Sequence, residues 1–214
     1  FDPLDYMDRK DAKRAARFAH FAIAGSKQAL ADAKLEITDL NAEQIGVMIG
    51  TGVGGIQVME DQQTIYLNRG PSRCSPFMVP MMIANMAAGL TAIQTGAKGP
   101  NSCPVTACAA GSNAIGDAFR LVQGGYAQAM ICGGTESAVT PLTFAGFSSA
   151  RAMSTRNDDP THASRPFDVD RDGFVLGEGS GILILEELEH ALSRGARIYA
   201  EMVGYGMSCD AYHM

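Results

Sequence analysis

Apolar residues recur along this chain at helical and then at strand spacing, and the alternation predicts an α/β protein. A helix over 8–34, capped by Asp8, would put Ala12, Ala15, Ala16, Ala19, Ala22 and Ile23 on one side. Residues 45–51 form a buried strand, a Gly-rich turn follows, and a helix covers about 56–67. After a Pro-punctuated loop at 70–80, the helix at 81–95 is apolar nearly all round and so predicted buried. A short strand at 101–106 leads through a sharp turn into a helix at 108–123. There Ala110, Ala114, Ile115, Ala118, Phe119 and Val122 keep helical spacing, and Gly124-Gly125 supplies the stop. Another buried strand at 127–134 makes this strand–helix–strand unit a parallel crossover. Thr140-Pro141 opens a further helix. Residues 173–185 read as extended, 187–194 as a short helix and 197–205 as a strand.

With 214 residues, 46% of them hydrophobic, the chain can bury a full core. No apolar run approaches the ~18 residues of a membrane span, and the N-terminus has neither a basic nor an apolar leader region; a soluble, cytoplasmic protein without membrane contact is expected. Five cysteines with no C-x-x-C pair suggest reduced thiols rather than disulfides or a zinc site. A net charge of −6 argues against nucleic acid as a partner. The missing initiator Met and the ending Asp-Ala-Tyr-His-Met suggest a piece of a longer chain.

Cys108 stands where a nucleophile would be made. A helix N-terminus favours thiolate and offers N–H groups to an oxyanion, and the small neighbours Ala107, Ala109, Ala110 and Gly111 leave room for a carbonyl carbon; the combination suits acyl transfer through a thioester. The plain alternative is a small buried cysteine. On the first helix, Arg9, Lys10, Lys13, Arg14 and Arg17 fall within roughly 140° of one another, either as an ordinary solvated face or as a surface for an acidic partner. Gly50, Gly52 and Gly55 match G-x-G-x-x-G, but no acid stands about 20 residues on, so a tight turn beside a cavity is preferred to a dinucleotide site. Asp168 to Gly173 opens like a calcium loop, yet position 12 is Gly179, so a structural turn with Arg165 and Arg171 as partners of the acids is expected. No metal or cofactor is implied. His20 and His190 read as solvent-facing.

The run VTACAAG at 105–111, with GGTES at 133–137, SRPFDVDRDGFVLGEG at 164–179 and the closing DAYHM, resembles the elongating β-ketoacyl-acyl carrier protein synthases, along essentially the whole chain. The resemblance implies a layered αβαβα thiolase-like fold of two similar halves. Residues 1–196 would be most of the first half, and 197–214 the opening strand of the second. It implies that Cys108 is the acylated nucleophile, that Val53, Met78 and Phe147 line the acyl pocket, and that Arg9, Lys10, Lys13 and Arg14, with Arg73 and Arg151, meet an acidic acyl carrier protein. His213 would lie at the active-site mouth, and the histidines that assist malonyl decarboxylation would lie in the second half. A homodimer joined through residues 101–106 is implied as well, in the cytoplasm or, for a plant protein, the plastid stroma. A polyketide ketosynthase is an alternative, though such enzymes usually carry Asp-Thr-Ala-Cys-Ser-Ser where this chain has Val105-Thr-Ala-Cys-Ala-Ala. A non-catalytic partner subunit, which would typically lack the cysteine, is another.

Overall fold

The computed structural model describes residues 1–212. Strands β1 (Ile45–Gly50), β2 (Asn101–Ser102), β3 (Ala129–Ser137) and β4 (Glu178–Glu186) form one sheet in the order β2-β1-β3-β4. The first three are parallel, as the strand–helix–strand pattern predicts. β4 differs and runs antiparallel to β3, with Ser137 opposite Glu178. The connection between them begins and ends at one end of the sheet, so no crossover is needed.

Strand alternation divides the core. Ile45, Val47 and Ile49 of β1, with Ala129 and Ile131 of β3, face one cluster. That cluster includes Phe18 and Ala22 of α2 (Arg17–Ala33) and Ala87 and Ala88 of α5 (Met86–Thr95). The intervening Met48, Met130 and Cys132 face Ala114 and Ala118 of α6 (Ala110–Gln123) on the other side. Helices therefore cover both faces of a central sheet whose β1 is buried along its whole length. Each fully buried side chain of Phe18 or Ile131 size contributes about 1.5–3 kcal/mol of hydrophobic stabilisation.

Several elements are shorter than their patterns suggest. Asp8 caps a helix, its Oδ1 accepting from the Asp11 N–H at 2.7 Å. That helix, α1 (Arg9–Ala12), ends after one turn, and the chain re-enters α2 from an extended Ala16. His20 lies partly buried across the break, its Nε2 2.9 Å from the Ala12 carbonyl oxygen, so it is not the solvent-facing group expected; burial holds its pKa below the usual value. The 81–95 helix is likewise two helices, α4 (Met78–Met82) and α5, separated by the extended Ile83. It is not buried all round: Ile93 is exposed. Between these segments lies α3 (Ile56–Arg69), and α7 (Pro141–Ser149) starts at Thr140 as its cap predicts.

At the C-terminal end, α8 (Leu188–Ser193) matches its predicted span. His190 is again half-buried rather than solvent-facing, because its Nδ1 meets the buried Glu186 carboxylate. The stretch 197–205 forms no strand. Side-chain contacts rather than a ladder hold it: the Tyr205 ring lies so close to α6 that a Cβ on Gly116 would be 2.2 Å from it, and the Tyr199 hydroxyl donates to Asp32 of α2 at 3.0 Å. In the 168–173 turn, Arg165 and Arg171 donate to the backbone carbonyls of His162 and Asp168 rather than to the acids as expected. Asp172 instead accepts from the Ser154 hydroxyl and the Thr155 N–H and lies 3.7 Å from Arg156, which hold its pKa below the ordinary aspartate value.

Candidate active site

β1 ends, and β3 passes it at Gly134, beneath the first turn of α6, which can sit there because the facing residues lack side chains. A Cβ on Gly50 would meet the Ala110 carbonyl oxygen at 2.2 Å, and one on Gly134 would meet Gly111 Cα at 2.9 Å. Cys108 lies just before that turn. It is not the first residue of the α-helix, as expected, but the middle of a 3₁₀ turn, Ala107–Ala109, that leads into it. Ala107 is in the left-handed region, with φ +52. That conformation costs an alanine roughly 1 kcal/mol or more and turns the chain sharply out of the β2 direction. The outcome is an exposed thiol at the head of a helix that buries Ala110, Ala114, Gly116 and Ala118.

Two of the other thiols differ. Cys132 is fully buried, and burial pushes its pKa up to about 12. Cys103 is half-buried and its pKa is also raised by burial; its thiol donates to the Ala84 carbonyl at 3.4 Å. Both are poor nucleophiles, because only the thiolate attacks.

Beside Cys108 stands a group the sequence reading did not single out. Glu136 lies on the α6 face of β3 by strand alternation, and its carboxylate reaches into the Gly-rich turn after β1. One oxygen accepts from the Thr51 hydroxyl at 3.0 Å and the Gly54 N–H at 3.2 Å; the other accepts from the Gly52 and Val53 N–H groups at 2.8 and 2.9 Å. Successive backbone N–H groups in such a turn form an anion-binding concavity. The G-x-G-x-x-G run therefore does bind an anion, and the anion is the protein's own carboxylate. Two signals could have revealed it: a glutamate on the buried face of a strand needs donors, and glycine-turn amides without a cofactor need an acceptor.

Of the residues assigned to the acyl pocket, Val53 sits in this turn and is 43% exposed. Met78 opens α4, partly buried against the α2 side of the core, and α4 adjoins the same turn through the Gly55 N–H to the Met82 carbonyl at 3.1 Å. Phe147 is half-buried on α7, its ring edge-on to Phe174 with centroids 5.0 Å apart. Arg9, Lys10, Lys13 and Arg14 are all exposed on and just after α1, and among the described residues none pairs with a carboxylate. Arg14 stacks 4.6 Å above the Phe77 ring, which draws the basic segment toward the loop carrying the exposed Arg73. Arg17 leaves the stripe: its Nε donates to Glu178 at 2.8 Å. Arg151 is exposed beyond α7, with φ +54. His213 lies outside the described residues.

Residues 1–191 match the model of the β-ketoacyl synthase N-terminal domain. Over all 214 residues the chain is 75% identical to a 3-oxoacyl-[acyl-carrier-protein] synthase 2 of Synechocystis and 53% identical to the enzyme of that name from Staphylococcus aureus. It spans about half the length of these curated relatives, 51% in each case. Among solved structures, a β-ketoacyl synthase from Burkholderia phymatum matches with a TM-score of 0.87 at 35% identity, covering 100% of this chain and 52% of that one. The ishigamide ketosynthase/chain length factor matches at 0.90 and 33%, with the same coverage. A third match, 0.87 at 35% over 92% of this chain and 50% of that one, is a type II polyketide synthase acyl-carrier protein in complex with its ketosynthase bound to the hexaketide. With the ketosynthase fold, the cysteine turn and a domain match along most of its length, the chain belongs to the β-ketoacyl synthase family.

Proposed function

We propose that the complete protein is a 3-oxoacyl-[acyl-carrier-protein] synthase of fatty-acid elongation, in which Cys108 takes the growing acyl group as a thioester. Condensation then follows by attack of the enolate that malonyl thioester forms on losing carbon dioxide. The observation that carries this reading is the exposed Cys108 thiol on a sharp turn at the head of α6, with the helix amides behind it as donors for the oxyanion of thioester exchange. The family pattern assigns the donors for the decarboxylation step to histidines in the second half, so the steps argued from these residues are acyl loading and the holding of the acyl chain. Val53, Met78 and Phe147 are the pocket for that chain.

The delivering partner is acyl carrier protein, an acidic protein. Four exposed cations at 9–14, with Arg73 and Arg151, supply complementary charge on a chain whose net charge is −6, and such charges chiefly raise the rate of encounter. We read residues 1–196 as the N-terminal half, 197–214 as the start of the second half, and the complete protein as a homodimer joined through 101–106. No helix among the described residues is long and apolar enough to cross a membrane, and we assign the enzyme to the cytoplasm or a plastid stroma.

The test is acyl loading followed by mass spectrometry of intact complete protein. Wild type incubated with acyl-acyl carrier protein should gain one acyl mass located at Cys108, and Cys108→Ala should gain none. An inert partner subunit would leave the wild-type thiol unmodified, and loading that persists in Cys108→Ala would overturn the assignment.

A further inference from the structure

Among the described residues, Glu136 is the carboxylate that ties β3 to the turn after β1. It projects from the end of β3, yet all four of its hydrogen bonds go to residues 51–54. Among the described residues no lysine or arginine pairs with it. Three backbone N–H groups and one hydroxyl hold the charge instead, and Thr51 closes the turn further by accepting from Gly54 N–H at 3.2 Å. The turn in turn leans on the cysteine segment: a Cβ on Gly52 would lie 3.1 Å from Glu136 Oε2 and 3.4 Å from Ala107 Cα. Ala107 is the left-handed residue that sets the direction of Cys108. The carboxylate thus fixes, in one contact set, the backbone of Val53 on one side and the support beneath Ala107 on the other.

We propose that Glu136 is a positioning residue for acyl loading, and that by holding the 51–54 turn it sets which acyl-chain lengths the site accepts. This rests on the reading of Cys108 as the acylated group and Val53 as part of its pocket. Glutamate suits the task because an ionised carboxylate only accepts, and every atom facing it donates. In Glu136→Gln one face becomes an NH₂ donor: turned toward Gly52 and Val53 it leaves both N–H groups without an acceptor, and turned toward Thr51 it faces the Gly54 N–H and forces the hydroxyl to reverse, so the hold on the turn weakens either way. Movement of the turn displaces Val53 and the Ala107 support together. The effect is therefore on selectivity as well as rate.

The experiment uses the complete protein with Glu136→Gln, Thr51→Val and Thr51→Ser. Acyl loading from short and long saturated acyl-acyl carrier proteins gives kcat/KM for each, and the rate of Cys108 alkylation by iodoacetamide gives a readout that needs no enzymatic function. Glu136→Gln should change the long-to-short loading ratio on the order of tenfold, since ~1 Å of misplacement can cost up to ~100-fold, and should change the alkylation rate as well. Thr51→Val, which removes one donor and keeps three, should move the ratio in the same direction by less, and Thr51→Ser should return it toward wild type. If Glu136→Gln does not fold, the Thr51 pair decides the question alone. A long-to-short ratio and an alkylation rate equal to wild type in the soluble variants would overturn the proposal. Should wild type load no acyl group at all, the functional reading fails instead, and a changed alkylation rate would still support the clamp while an unchanged one would overturn it.

Discussion

Ala107 shows how much of the site depends on one backbone conformation. Its φ of +52 is one that valine reaches only at high cost, because a branched Cβ crowds the neighbouring carbonyls. Ala107→Val should therefore destabilise the protein by about 1–3 kcal/mol and slow acyl loading at Cys108, whereas Ala107→Gly should stay within about 1 kcal/mol of wild type, relief of strain offsetting added chain entropy. Urea melts paired with the loading assay check both; a fully loaded, equally stable Ala107→Val would remove strain from the account. The place of Cys108 at the head of α6 was legible in the sequence, as a small-residue run at the start of a helix pattern. The strained turn before it was not, since helical spacing in Ala109, Ala110 and Ala114 continues smoothly back to Cys108 and masks the change to a 3₁₀ turn. Glu136 escaped for a different reason. Its meaning depends on donors more than eighty positions earlier in the chain, a pairing no local pattern carries.

Among the elements, the buried strands, the caps and the spans of α3 and α8 were legible, while the breaks within the 8–34 and 81–95 helices were not. The two faces of β1 and β3 fall as period two requires, and the caps at Asp8 and Thr140 form. The 8–34 helix fails despite alanine's strong helix propensity, because the break at Ala16 is held by a contact from His20 to the Ala12 carbonyl that no propensity carries. The end of β4 depends on a similar contact. Glu186, its last residue, is nearly buried and accepts from Arg194 Nε and Nη2, each at 2.6 Å, and from His190; Arg194 also donates to the Ala33 carbonyl at 2.8 Å, tying α8 to the end of α2. Burial alone would raise the Glu186 pKa, but the Arg194 and His190 bonds outweigh it and leave it below the ordinary 4.5. A carboxylate whose folded pKa is depressed contributes stability that is complete above its unfolded value and lost as pH falls through the folded one. Thermal melts should accordingly show wild type losing stability as the pH drops below about 4.5, the ordinary value. Glu186→Gln should be destabilised by about 2 kcal/mol at pH 7, with a shallower acid limb. Parallel acid limbs in the two proteins would exclude Glu186 as a source of the dependence.

At the scale of the whole molecule, the edge of the sheet makes the last prediction. β2 ends the sheet and pairs only with β1, and Pro104 just beyond it acts on the inner side. The carbonyls of Pro100 and Pro104 accept from Val47 and Thr51 N–H, so even-numbered residues face β1, and Pro104 removes the N–H that would have continued that ladder. By alternation, the N–H and C=O groups of Asn101 and Cys103 face away from the sheet with their donors intact. An exposed edge with free donors pairs readily with another strand, and a twofold axis lets it pair with its own copy in antiparallel register. The homodimer proposed above would use this edge. Sedimentation of the complete protein at micromolar concentration should show dimer. Asn101→Pro, which removes one outward N–H while the neighbouring bonds to β1 remain, should weaken it. Because each substitution occurs twice across the axis, the loss is about 2 kcal/mol, or roughly thirtyfold in the dissociation constant. A monomeric, active wild type would defeat the prediction outright, and an Asn101→Pro protein that stays as tightly dimeric as wild type would move the interface away from β2.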